Sequence, residues 1–289
     1  MDRKLIAIVV AVVGIILVGS FFIILALLKE SGGLLPMKGA VALVEIEGVM
    51  HSSEGVISEI EEYRKSESVG AIVIRIDSPG GGVVVANEIF KEIQRARQDG
   101  KPVVVSMGSV AASGGYYVAC AADKIVANPG TVTGSIGVIM GFPNLEELLR
   151  KVGVKFETIK SGRYKDTGSP VRQMRDDERE MLEEVVEDVW EQFVGVVSEQ
   201  RNLPLEEVEE IADGRILTGN RAKELGLIDQ FGTLHDAIML AAELAEIEGE
   251  PRIVKKRRVF RLLDLLGEFF VRVSRSDSPF SLEYRMTMP

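Results

Sequence analysis

AIVIRIDSPGGGVVVANEIFKEIQRARQDGKPVVVSM, residues 71–107, decides the fold. A nearly unbroken apolar run, 71–76, is long enough for one strand and stops at Asp77-Ser78-Pro79-Gly80-Gly81-Gly82. Residues 83–98 then carry apolar side chains at helical spacing, Asp99-Gly100-Lys101-Pro102 breaks the helix, and 103–107 is apolar again. Strands with little polar alternation are buried on both faces, and parallel neighbours need a helical crossover between them. The stretch therefore predicts strand, glycine turn, helix and parallel strand. Upstream, 40–46 and 54–65 repeat the strand and helix patterns, and downstream 124–127, 137–140 and 155–159 read as shorter strands. The fold class is α/β, with a parallel sheet covered by helices.

The rest of the chain falls into segments around this core. Residues 5–28 are 24 positions without a charge. As a helix they exceed the roughly 30 Å of a bilayer's hydrocarbon. No clear A-x-A-like cleavage site follows, so the reading is an uncleaved anchor. Arg3 and Lys4 before it place residues 1–4 inside and the remainder on the extracytoplasmic side. Residues 29–39 are a linker rich in breakers, 40–250 the folded domain, and 251–289 a C-terminal strand, amphipathic helix and tail. In that last segment Val259, Leu262, Leu263, Leu266, Phe269, Phe270 and Val273 share one helical face, suited to packing on protein or lying on an anionic membrane. A long acidic helix over 175–201 carries Met181, Val185, Val189, Phe193 and Val196 at helical spacing, a stripe expected in the core, and further helices are expected over 203–212, 220–225 and 234–247.

Composition removes several functions. A net charge of −10 argues against a general nucleic-acid binder. Cys120 is the single cysteine and His51 and His235 are the two histidines, so there is no internal disulfide, no Cys-rich metal site and no H-E-x-x-H zinc motif. No metal or cofactor is expected.

Two glycine-rich turns remain as candidate sites. Residues 77–82 end a strand, and in parallel sheets ligands gather at the carboxyl ends of strands. The backbone N–H groups there suit an oxyanion, yet by composition alone the segment reads first as a tight strand-to-helix turn, and it lacks the lysine of a P-loop. The second turn, Ser109-Val110-Ala111-Ala112-Ser113-Gly114-Gly115-Tyr116-Tyr117, surrounds Ser113 with small residues that admit a substrate backbone, and the following helix could aim free N–H groups at it. Taken alone, Ser113 also reads as an N-cap. A serine nucleophile needs a base. Neither histidine neighbours a glycine turn in sequence, and a lysine in an apolar pocket could serve instead, although composition does not choose which.

Four motifs in order carry a resemblance: Asp77-Ser78-Pro79-Gly80-Gly81, Ala111-Ala112-Ser113-Gly114-Gly115-Tyr116-Tyr117, Thr133-Gly134-Ser135-Ile136-Gly137-Val138 and Ser161-Gly162-Arg163-Tyr164-Lys165-Asp166, continued by Gly214-Arg215-Ile216-Leu217-Thr218-Gly219 and Gly226-Leu227-Ile228-Asp229. Over residues 40–250 the chain resembles the signal peptide peptidase A family of Ser-Lys membrane serine proteases, in its short single-repeat form, with a Clp-protease/crotonase-like core. The resemblance implies Ser113 as nucleophile, Lys165 as general base, Ser135 orienting the lysine, and backbone N–H groups of Gly80, Gly81 and Gly114 as the oxyanion hole. It further implies a homo-oligomeric ring with sites shared between subunits, and cleaved signal peptides and other apolar peptides as substrates. Tyr116, Tyr117, Tyr164 and Asp166 are read as packing or loop residues. Two other functions fit the same fold: a crotonase-type acyl-CoA hydratase or isomerase, and a membrane scaffold without turnover.

Overall fold

A computed structural model describes residues 14, 16–20, 39–256 and 283–286. The proposed anchor over 5–28 lies outside the described residues except for Gly14 and 16–20, which are helical and exposed, and the amphipathic segment 259–273 lies wholly outside them. Among the described residues no helix is long and apolar enough to cross a membrane.

The decisive stretch folds as its pattern predicts. Strand β1 (Ala40–Glu47) leads to helix α1 (Glu54–Lys65), then β2 (Val69–Ser78), a short β3 (Gly80–Gly82), α2 (Val83–Gln98) and β4 (Val103–Ala111). β1, β2 and β4 lie side by side and parallel, with Ile72 opposite Val103 and Ile74 opposite Val105. β5 (Lys124–Ala127) extends the sheet parallel to β4, β8 (Gln230–Phe231) follows β5, and β9 (Arg252–Lys255) closes the other edge on β1.

Both faces are buried, for the reason the sequence offers: side chains two apart along a strand share a face. Ile72, Ile74 and Ile76 point into a core with Ile60 and Tyr63 of α1 and Ile89, Phe90 and Ile93 of α2. Ala71 and Val73 point the other way, onto Ala237, Ile238, Ala241 and Ala242 of α8 (Leu234–Leu244). That helix starts at a capping box in which Thr233 N–H donates to Asp236 Oδ2 at 2.7 Å. The result is three layers.

Departures from expectation cluster after β5. Residues 137–140 form no strand; Ile139 makes one antiparallel bridge, to Glu283. Segment 155–159 is exposed coil, with Phe156 62% and Ile159 fully exposed, because no neighbouring strand is offered to it among the described residues. Strand β6 (Val132–Gly134) was hidden in a run of threonine and glycine; it pairs parallel with Val110 at the end of β4 and antiparallel with β7 (Ile216–Thr218). Helix α5 (Asp176–Arg201) is present in full, but its stripe is core only in its second half: Phe193, Val194 and Val197 are buried while Val185 is 40% exposed. At 26 residues the helix is about 39 Å long.

Candidate active site

Three strands deliver the candidate residues to one place. β4 ends at Ala111 and passes into Ser113, β2 ends at Ser78 just before Gly80, and β6 ends at Gly134 just before Ser135. Thr131 and Thr133 pin the β6 segment to β4 through their hydroxyls, which donate to Gly108 and Ala111 carbonyls at 2.9 and 2.6 Å. Ala112 N–H donates to Ser78 O at 3.1 Å, and Ser113 N–H to Gly134 O at 2.8 Å. Backbone bonds alone thus join the three turns.

Ser113 has φ 53° and ψ −119°, a region that strains a residue with a side chain by about 1–3 kcal/mol and survives only when the surroundings impose it. Those surroundings are the Gly134 bond and the Tyr117 N–H, which donates to Ser113 O at 2.9 Å. The serine precedes helix α3 (Gly114–Ala119), yet its hydroxyl makes no capping bond, so the N-cap reading does not hold. Its Oγ is buried and has no hydrogen-bond partner among the described residues. An unpaired buried hydroxyl costs stability. Ser135 repeats the backbone device: its φ is 50° and its N–H donates to Arg215 O at 2.8 Å.

Gly80, with φ 106°, is where backbone must come close. A methyl added to it would fall 2.8 Å from Gly114 N, so any larger residue would push the two turns apart. Gly80 N–H donates to Ser78 Oγ at 3.1 Å and its carbonyl accepts from Met50 N–H at 2.9 Å. Met50 also bridges to Gly81. Consequently His51, remote from any glycine turn in sequence, stands next to one in the fold, and it is exposed.

Strand β10 (Glu283–Arg285) was missed in the sequence and lies on this site. It pairs antiparallel with Gly80–Gly82, Tyr284 opposite Gly81, and Met286 N–H donates to Pro79 O at 2.8 Å. The signal available was the alternation Leu282, Tyr284, Met286, too short to stand out in a polar tail. A cavity of about 360 Å³ beside it is lined by Ser135, Ile139, Trp190, Arg285 and Met286 among others.

Lys165 is not brought into this cluster by contacts within the chain. It sits in an exposed turn, its N–H donating to Gly162 O at 3.2 Å, and its side chain makes no hydrogen bond or ion pair among the described residues. The turn itself is firmly held. Asp166, read as a loop residue, receives Arg172 Nε at 2.9 Å as well as Lys160, and Arg172 and Arg175 both reach the fully buried Glu178. The Arg172 hydrogen bond, with Arg175 beside it, holds the Glu178 carboxyl down to about 2. Since the folded value lies below the ordinary 4.5, this carboxylate stabilises the fold above that pH and ceases to as pH falls towards 2. Glu178→Ala is expected to cost about 2 kcal/mol at neutral pH, less than the roughly 3–5 of a fully buried pair because both arginines are partly exposed. Urea unfolding of both proteins at pH 7 and pH 3 checks this; the gap should shrink in acid.

Tyr116 and Tyr117 do pack, Tyr116 donating its hydroxyl to Leu227 O at 2.9 Å inside the core. Tyr164, 46% exposed, is a loop residue. Among the described residues no group of three or more His, Cys, Asp or Glu side chains is placed to hold a metal.

A buried serine on a strained turn, framed by glycine backbone at the carboxyl ends of parallel strands, is the layout of an α/β serine hydrolase. Residues 95–248, more than half of the chain, match Peptidase family S49. A Synechocystis protein named as a protease is 44% identical over 72% of this chain and 75% of its own length. The chloroplastic serine protease SPPA of Arabidopsis thaliana is 37% identical over 77% of this chain, which spans 32% of that longer protein. Among solved structures, a ClpP1 mutant from Listeria monocytogenes is 19% identical, with a TM-score of 0.47 over 68% of this chain and 93% of that one. The chain belongs to Peptidase family S49 and is a serine peptidase.

Proposed function

We propose that the protein is a membrane-anchored endopeptidase that hydrolyses apolar peptides, remnant signal peptides among them, through a dyad of Ser113 and Lys165, with its catalytic domain on the extracytoplasmic side. The observation that carries the reading is the Ser113 hydroxyl, buried without a hydrogen-bond partner among the described residues on a backbone strained to hold it there. In the first step Lys165 takes the Oγ proton as Oγ attacks the peptide carbonyl. The N–H groups of Gly81 and Gly114 receive the oxyanion, and Gly80, whose own N–H serves Ser78, gives the room for close approach. Ser135 stands beside the serine to orient the incoming amine. The proton then passes to the leaving amine, and water hydrolyses the acyl ester.

The base is proposed to come from a second copy in a ring. Lys165 closes a segment whose apolar side chains, Val152, Val154, Phe156 and Ile159, face outward, a surface that a neighbouring chain would bury. The cavity against Ser135 has room for a lysine arriving from outside.

An active-site serine probe tests the reading against the hydratase and scaffold alternatives, neither of which calls for a reactive serine. Labelling of the full chain should map to Ser113, and absence of labelling there would exclude the dyad. Because His51 lies beside the glycine turn, the double variant His51→Gln with His235→Gln is a necessary companion. Its kcat is expected to match wild type; a collapse with unchanged stability would point to a histidine base.

A further inference from the structure

The strand that delivers Ser113 is irregular just before it does so. β2 and β4 pair as far as Ile76 opposite Met107 and again at Ser78 opposite Ala111. Between those pairs β2 spends one residue, Asp77, where β4 spends three, Gly108, Ser109 and Val110. Regular pairing would set Ser78 against Ser109 and carry Ser113 four residues, about 13 Å, beyond that level. With the bulge Ser113 stands only two residues past the pair, about 7 Å, where it meets the Gly134 carbonyl. Three side chains hold the bulge. Asp77 Oδ1 accepts the Val110 N–H at 3.0 Å, Arg75 Nη1 donates to Met107 O at 2.8 Å, and Thr131 Oγ1 donates to Gly108 O at 2.9 Å. Asp77 is also fitted by shape. A methyl on Gly108 would lie 2.7 Å from the Asp77 Cγ and 2.9 Å from its Oδ2, so the carboxylate fills the space of the missing side chain. Gly108 is not in the left-handed region, so room for Asp77, rather than backbone conformation, is what calls for glycine there. Among the described residues the carboxylate makes no ion pair and no hydrogen bond other than the one to Val110.

Resting on the reading of Ser113 as the nucleophile, we infer that Asp77 is a positioning residue of the peptidase: wedged against Gly108 and bonded to Val110, it fixes the bulge that sets the serine hydroxyl at the glycine turns. The role asks for two things, an acceptor at Oδ1 and a planar group of this size. It does not ask for charge. Asparagine supplies both. Glutamate keeps the charge but adds a methylene for which the Gly108 contact leaves no room. Alanine leaves the Val110 N–H without its acceptor and the space beside Gly108 empty. A bulge no longer pinned shifts along β2, and a nucleophile displaced by about 1 Å loses on the order of 10² in rate. The effect falls on the chemical step, because the bulge adjoins the serine and not the Gly80–Gly82 edge.

The full chain is compared with its Asp77→Asn, Asp77→Glu and Asp77→Ala variants on one apolar fluorogenic peptide, with the rate of Ser113 labelling by a fluorophosphonate as a second readout and thermal unfolding alongside. Asp77→Asn is expected to keep kcat within about threefold of wild type. Asp77→Glu and Asp77→Ala should lose about 30- to 100-fold in kcat, with labelling slowed by the same factor and KM within about twofold. Gly108→Ala, which crowds the same space from the other strand, should lower kcat alike. Activity in Asp77→Glu but not in Asp77→Asn would show that charge and not fit matters, and would overturn the inference. Wild-type rates in all four variants, or activity lost only in proportion to folded protein, would overturn it too. Each of those results leaves the peptidase reading standing as long as Ser113→Ala is inactive. A wild-type chain that neither hydrolyses the peptide nor labels at Ser113 would remove both.

Discussion

Ser113→Ala is expected to abolish peptide hydrolysis, with a fall in kcat/KM on the order of 10⁴ to 10⁶, the range in which removal of a serine nucleophile leaves only binding and oxyanion stabilisation. The fold should be retained. The lost hydroxyl has no hydrogen-bond partner among the described residues, and its removal takes an unsatisfied polar atom out of a buried site. Alanine at φ 53° keeps the strain but adds none, because the backbone bonds to Gly134 and from Tyr117 do not involve the side chain. Thermal unfolding should therefore show Tm unchanged or slightly raised while activity vanishes. Retention of most of the activity would mean that another residue attacks the substrate.

The second large effect concerns assembly. Lys165→Ala should be as inactive as Ser113→Ala, and mixing the two inactive proteins should restore part of the activity if serine and lysine meet across an interface. Lys165 sits on an exposed turn braced by Asp166, Arg172 and Glu178, at the end of an outward-facing apolar segment, and makes no hydrogen bond to Ser113 of its own chain among the described residues. In a mixed ring one interface type has both catalytic groups intact and another has neither. Mass spectrometry of differently tagged chains must first confirm subunit exchange. Exchange without recovered hydrolysis would place the dyad within a single chain and remove the shared site.

Most of the sheet was legible because its signal is local. The runs at 40–46, 71–76 and 103–107 have the length and apolar continuity of doubly covered strands, and the helices between them begin and end where breakers stand. The candidate nucleophile was legible for a related reason: Ser113 is surrounded by Ala111, Ala112, Gly114 and Gly115, and small residues on both sides of a hydroxyl leave a mark in the sequence. Lys165 is marked only by the resemblance of its surrounding motif.

The short elements were not legible, since their stability comes from partners distant in the chain. β6 exists because β4 and β7 pair with it, and β10 because Gly80–Gly82 offers it an edge; three residues carry too little periodicity to announce a strand. The same limit hid the proximity of His51 to the glycine turn, which depends on Met50 bridging to Gly81. The parallel α/β core, its two buried faces and the small-residue turn around Ser113 can be read from the chain alone, because each follows from hydrophobic period and side-chain size within a dozen residues. The rest depends on segments far apart in the chain coming together. The positive φ of Ser113, the close approach of Gly80 to Gly114, the exposed setting of Lys165 and the pairing of Tyr284 with Gly81 all arise where turns from separate strands meet, and such meetings are fixed by backbone hydrogen bonds that every residue carries alike and no sequence displays.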